Sequence, residues 1–282
     1  MMKKTINYHK LFRLITLYLI IGITSICMII PLLYMFSTSF REHGYTIEFS
    51  GNIIPDKPTI KNFTRAWSLY NFKQYFINSL FVSTISLIFE VLIASMMAYA
   101  FARLEFPAKE IIFYLVIFVL MIPNLANIIP QFFIAKTLGL RDSLLGLSLF
   151  YVANMLPLNT FLLRGFFETL PKELEDAVLI DGGNHFTIFR HVIIPLSTPA
   201  IATIAIFSLL AFWDELILAL TLIDNVNLRT LPVAIAAVHG QYGTDWGLVF
   251  AASLIAVIPV VLMFIFMQKY FIGGLTSGAF KG

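Results

Sequence analysis

Charge is scarce in this sequence and cysteine nearly absent. Only 12% of the 282 residues are Asp, Glu, Lys or Arg, 59% are apolar, and the mean hydropathy is +0.86. A soluble chain carries about 25% charged and roughly 45–50% apolar residues, so a soluble two-domain enzyme is the first reading to exclude. The single cysteine, Cys27, sits in an apolar run. It can form no intrachain disulfide, suggests no metal site, and reads as packing filler. Catalytic motifs are missing too. There is no G-x-x-x-x-G-K-[ST] and hence no phosphate-cradling loop for ATP, and no H-E-x-x-H or G-x-S-x-G. The net charge of +3, with scattered Lys and Arg, is no nucleic-acid footprint.

What the sequence has in abundance is long apolar runs. A spanning helix needs about 20 mostly apolar residues. Six segments qualify: Leu14–Phe36, Phe76–Phe101, Ile111–Phe133, Leu144–Leu163, Ile201–Ile223 and Leu248–Phe271. The expected fold is all-α, a polytopic membrane protein with six transmembrane helices. The first run follows Lys3, Lys4, Lys10 and Arg13, exceeds the roughly 7–15 residues of a signal-peptide core, and precedes no A-x-A-like site. It reads as a retained anchor with its N-terminus inside. Six spans then place both termini in the cytoplasm of a multi-pass cell-membrane protein. Residues 1–13 form a cytoplasmic N-terminus, 14–271 the membrane domain, and 272–282 a cytoplasmic tail, with a charged loop at 164–195. Lys136 and Arg141 fall outside, so the basic N-terminus carries most of this orientation.

Two outside segments are long: Ser37–Tyr75, with Trp67 and Tyr70, and Asp224–Gly247, with HGQYGTDWG at His239–Gly247. They are surfaces for something delivered from outside, or members of interfacial aromatic belts. Pro123, Pro130, Pro157 and Pro259 fall inside spans, where each removes a backbone donor and can kink its helix.

The charged loop is the most informative segment. Thr169 can cap a helix whose first turn contains Pro171. Glu173, Glu175 and Asp176 suit its positive end, Leu174, Ala177 and Val178 share one small apolar face, and Gly182 and Gly183 end it. A second short helix is expected after Asn184, with Phe186, Phe189 and Ile193 on one side and Pro195 closing it. Together they make a compact knob, suited to docking and not to catalysis.

The run Asp176-Ala177-Val178-x-x-x-Gly182, then nine residues, then Val192-Ile193-Ile194-Pro195, resembles the EAA---G---------I-LP loop of ABC importer permeases. The spacing matches throughout, with Asp for Glu at 176, Val for Ala at 178, Val for Ile at 192 and Ile for Leu at 194. AYAFARLEFP (Ala98–Pro107), LLRGFF (Leu162–Phe167), GQYGTDWG (Gly240–Gly247) and GLTSGAFKG (Gly274–Gly282) look like the carbohydrate-type permeases, most of all the smaller membrane subunit of maltose-type importers. The resemblance implies a non-catalytic subunit that moves a sugar or oligosaccharide by alternating access. It implies a second permease subunit as heterodimer partner, two ATPase subunits that bind ATP and Mg, and an extracytoplasmic solute-binding protein. No cofactor belongs to this chain. It also implies an ATPase-coupling loop comprising Glu175, Asp176, Ala177, Asp181, Gly182, Gly183 and Pro195. The tail residues Ser277, Gly278, Ala279, Phe280 and Lys281 would contact the ATPase dimer.

Polar residues within the spans are expensive and face interiors or watery cavities. Trp213, Asp214 and Glu215, in the middle of the fifth span, either line a pathway, with Trp213 stacking on a sugar ring, or clamp helices together. Asn154, Asn159 and Thr160 in the fourth span leave the same two readings open. Glu90 in the second span reads as an inter-helix hydrogen-bonding residue. His185 and His191 lack further metal ligands and read as exposed contacts to the ATPase. The competing class is an ion-coupled secondary transporter using Glu90, Asp214 and Glu215. It calls for internal repeats, which the sequence does not display.

Overall fold

The computed structural model describes residues 8–42, 55, 57–68, 71–237 and 245–279, with side-chain surroundings for all of these except 8–11 and 267–279. Among the described residues there is no strand. In chain order the helices are α1 (Tyr8–Ser39), α2 (Lys61–Ser68), α3 (Phe72–Arg103), α4 (Lys109–Phe118), α5 (Ile128–Thr137), α6 (Leu144–Phe167) and α7 (Glu173–Ile180). There follow α8 (His185–Ile188), α9 (Ile194–Leu196), α10 (Thr198–Trp213), α11 (Ile217–Leu222), α12 (Leu231–Ala237) and α13 (Trp246–Ala279). Among the described residues, four helical stretches are individually long and apolar enough to cross a bilayer: Phe12–Ser39, Phe72–Arg103, Leu144–Phe167 and Trp246–Phe266. Two sharply bent helix pairs raise the number to 6 if each pair is counted as one span.

The chain divides into two units. One comprises residues 1–70 and 237–255. Its α1 is apolar all round and almost wholly exposed within the chain, as expected of a surface solvated by lipid. Cys27 is exposed there, so it does not fill a core as the sequence suggested. The C-terminal end of α1 is held by the buried Asn62, whose amide donates to the carbonyls of Ser39 (3.0 Å) and Arg41 (2.8 Å). Asp245 receives Arg65 at 3.0 Å and accepts from the Leu248 amide at 3.2 Å, opening α13.

The second unit comprises residues 71–236 and 256–282, with α3 packed mainly against α6 and α10. One core gathers Val82, Leu147, Tyr151, Phe212 and Leu222; a second gathers Ala98, Tyr99, Leu163, Phe167, Ile188 and Ile193. Two expected spans are broken. The third turns by 99° between Lys109–Met121 and Asn124–Thr137. Pro123 forces Ile122 out of the helical region (φ −89°, ψ 121°) and supplies no N–H of its own. Pro130 sits harmlessly in the first turn of α5. The fifth stops at Trp213 and resumes at Ile217, so Asp214 and Glu215 occupy a break and not mid-helix positions. The sixth helix continues past Phe271 to Ala279.

Candidate functional site

The charged segment after α6 folds as two short helices at the ends of longer ones. The first, α7, starts at Glu173, later than expected. Lys172 is its N-cap residue, and the Thr169 hydroxyl donates backwards to the Phe166 carbonyl (2.7 Å) instead of capping. Its C-terminus follows the sequence reading. Gly182 takes φ +84°, its N–H donates to Leu179 O (3.1 Å), and the Gly183 N–H donates to Val178 O (2.8 Å). This is a Schellman closure, which needs a left-handed residue at Gly182. At Gly183 the demand is steric: a Cβ there would lie 2.5 Å from Val178 Cγ1.

Asn184 then caps α8 by accepting from the Thr187 amide at 2.9 Å. A π turn over Phe189–Ile193 follows, and the chain stays helical through Pro195 before bending by 77° near Ser197. Pro195 therefore lies inside a turn and does not end the helix. Its missing N–H accounts for the widened turn just before it. Ile188 and Ile193 are the buried residues, whereas Phe186 is exposed, contrary to the expected Phe186–Phe189–Ile193 face. On α7, Asp176, Ala177 and Asp181 are exposed and Ile180 is 85% exposed.

Glu175 points the other way. Its Oε1 lies 2.6 Å from Arg103 Nε, with only 12% and 4% of the two side chains exposed. The contact is a close charge pair without linear hydrogen-bond alignment. Arg103 Nη2 also donates to Leu170 O at 2.6 Å. One turn earlier on α3, Tyr99 meets His185 Nδ1 through its hydroxyl at 3.4 Å and packs its ring on Phe189 at 5.4 Å. The end of α3 thus grips both short helices. Arg164 binds Glu110 through two nitrogens (3.1 and 2.8 Å) and Glu168 through Nε (2.8 Å), and lies 3.9 Å over the Phe113 ring. Arg103 was present in the AYAFARLEFP run, but no local signal paired it with Glu175.

Between α3, α6 and α10, Glu90 is fully buried. It accepts from Asn159 Nδ2 (2.6 Å) and from the Ser208 hydroxyl (3.2 Å), and Asn159 also donates to Ser208 (2.7 Å). Three helices are stitched at one level, as expected for Glu90. Trp213 is buried too, its indole N–H donating to Ala256 O (3.0 Å) and its ring edge-on to Phe76.

A cavity of about 270 Å³ lies at the two helix breaks, lined by Asn124, Gln131, Tyr151, Asn154, Phe212 and Glu215 among others. Asn154 and Glu215 were singled out from the sequence; Trp213, Asp214 and Asn159 do not line it. Glu215 accepts from the amides of Leu218 (2.7 Å) and Ala219 (2.9 Å) and from the Tyr151 hydroxyl (2.9 Å), so it caps α11 while facing the cavity. Tyr151 and Phe212 stack at 5.6 Å and 12°. Gln131 Nε2 donates to Asn154 Oδ1 at 2.8 Å. Of the tail, Ser277, Gly278 and Ala279 continue the backbone of α13, while Phe280 and Lys281, like residues 239–244, lie outside the described residues. Among the described residues, no three His, Cys, Asp or Glu gather as a metal site.

Multiple long apolar helices, two of them broken beside a polar cavity, with one compact charged knob, define a helical protein of the membrane-spanning class. Residues 90–276 match the family described as the inner membrane component of binding-protein-dependent transport systems, and the chain belongs to this family. A diacetylchitobiose uptake permease of Streptomyces coelicolor is 34% identical, over 91% of this chain and 85% of that one. A trehalose transport permease of Mycobacterium tuberculosis is 35% identical, over 90% and 93%. A trehalose/maltose permease of Thermococcus litoralis is 35% identical, over 94% and 96%. In fold, the chain matches part of a bacterial ABC transporter that imports the acidic polysaccharide alginate. The TM-score is 0.82 at 21% identity, covering 96% of this chain and 100% of that one.

Proposed function

We propose that this chain is the smaller permease subunit of a sugar-importing ABC transporter. It moves a saccharide by alternating access, with ATP hydrolysed by two partner ATPase subunits and sugar delivered by an extracytoplasmic binding protein. The observation that carries the reading is the knob. Asp176, Ala177, Asp181 and Gly182 form an exposed surface on a helix whose position is fixed from behind. A surface so held transmits a push without deforming. In this reading the ATPase docks there, and Glu175 positions the loop instead of touching the partner. Apart from Gly182 itself and its chain neighbours, no atom lies within 4 Å of where a Cβ would stand, which leaves its outer side open to a docked protein. Both termini lie in the cytoplasm, the segment 277–281 reaches the ATPase dimer, and a second permease completes the pathway past Asn154 and Glu215. The names of the relatives support a sugar as cargo.

The test is purification with its partners, followed by uptake in proteoliposomes. An ATPase and a second permease co-purify, uptake requires ATP, and Gly182→Trp uncouples hydrolysis from uptake while the helices still insert. Uptake sustained by an ion gradient without ATP would replace this reading with a secondary transporter.

A further inference from the structure

The cavity at the two helix breaks has a composition that selects among ligands. Its stacked Tyr151–Phe212 pair offers an aromatic wall beside polar groups. The Gln131–Asn154 bond uses one amide hydrogen and one carbonyl. One carbonyl and one NH2 group are left over, a matched acceptor and donor of the kind a hydroxyl engages in both directions. Glu215 is half-buried and already accepts three hydrogen bonds. An ionised carboxylate has about four acceptor positions, so one is left for a further hydroxyl. Among the lining residues Glu215 carries the only charge, and no Lys, Arg or His is present to balance an anion. At about 270 Å³ the cavity falls just below the ~300–1,000 Å³ of sites that enclose a whole small ligand. It suits one unit of a longer molecule.

We infer that this cavity is a subsite for a single uncharged sugar unit of the transported saccharide. Gln131 and Asn154 read its hydroxyls, Tyr151 and Phe212 form its wall, and Glu215 turns acidic sugars away. The inference rests on the sugar-import reading above and adds to it the charge of the cargo. An anion brought to this site meets a fixed carboxylate in a partly dry space, where like charges repel strongly. The fold neighbour belongs to an importer of an acidic polysaccharide; the lining here fits the opposite kind of cargo.

The experiment has two arms. In cells that contain the full set of partners, uptake of trehalose, melibiose, raffinose, diacetylchitobiose and an alginate trisaccharide is measured with and without this chain. In nanodiscs that hold the membrane complex without binding protein, saturation-transfer NMR reads direct contact with the same five saccharides. A neutral saccharide depends on the chain for uptake and gives the contact signal, and the alginate trisaccharide does neither. Gln131→Ala/Asn154→Ala lowers both readouts for the neutral sugar by roughly thirtyfold, the factor that loss of two net hydrogen bonds implies. Its membrane level and bound ATPase stay constant. The exchanged pair Gln131→Asn/Asn154→Gln keeps donor and acceptor and recovers most of the loss. Uptake of a neutral sugar that ignores the double variant, or chain-dependent uptake of the alginate trisaccharide, overturns the subsite alone. If no saccharide depends on the chain, the sugar-import reading falls with it.

Discussion

Arg103→Ala provides the sharpest test of how the knob is held. The substitution leaves Glu175 without its cation in a site where only 12% of the side chain is exposed, and it removes a donor from Leu170 O. Breaking a buried pair by deleting one partner costs about 3–5 kcal/mol, and the residual exposure of Glu175 places this case near ~3. The lost carbonyl bond adds about 1 kcal/mol. A change of about 4 kcal/mol raises the equilibrium for lifting α7 away from α3 by roughly a thousandfold. Once lifted, an eight-residue helix does not hold itself together, because isolated helices below ~12 residues are marginal in water. Amide hydrogen exchange in nanodiscs reads this directly: the α7 amides, including Gly183 N–H, exchange far faster in the variant, and the α3–α6 core does not. The charge-exchanged pair Arg103→Glu/Glu175→Arg recovers part of the protection. Two results together would refute the reasoning: unchanged exchange in Arg103→Ala, and a loss of ATPase co-purification confined to Glu175→Gln. They would return Glu175 to the outward, partner-facing role suggested by the sequence.

Two further expectations concern rigidity. Gly183→Ala lowers the melting temperature by an amount equivalent to about 1–3 kcal/mol, the usual cost of an overpacked site. Val178→Ala in the same chain relieves the contact with Cγ1 but not the one with the Val178 carbonyl at 2.9 Å, so recovery is partial by scanning fluorimetry. Glu90→Ala leaves Asn159 and Ser208 without their shared acceptor and opens a buried space, a loss of about 2–5 kcal/mol, whereas Glu90→Gln keeps an acceptor and is milder. A Glu90→Ala protein that melts with the wild type would show that the three helices do not rely on this clamp.

The sequence announced features governed by near neighbours. Gly182 and Gly183 end α7, Asn184 opens α8, and four of the long apolar runs are continuous helices long enough to cross a bilayer, because capping chemistry and hydropathy act over a few residues. Contacts set by helices meeting across the fold were not legible. Arg103 and Glu175 belong to different helices, and nothing near either names the other. Trp213 shows the same limit: the sequence left it open between stacking on a sugar and clamping helices, and only the fold shows its indole spent on Ala256 O and Phe76. The break after Trp213 was hidden for a different reason. Apolar composition continues through Ile217–Leu222, so hydropathy cannot distinguish one span from two pieces, and only the cap supplied by Glu215 explains why the chain restarts there.

The π turn at Phe189–Ile193 has a consequence for how this segment can vary in length. The wide turn, closed at its end by Ile194 N–H donating to Phe189 O, accommodates one more residue than an ordinary turn would. Removing one residue between Asn184 and Pro195 would convert the turn to an α-helical one. The helix on either side would then keep its facing, because the lost residue is the one the wide turn had absorbed. A second deletion finds no wide turn and, at about 100° per residue, swings everything beyond it relative to α7. After that second deletion Ile193, now in the core, would trade places with a solvent-facing neighbour, and the bend into α10 would aim elsewhere. Related chains should therefore differ in length here by the single residue of the wide turn at most, while composition between Asn184 and Pro195 varies more freely.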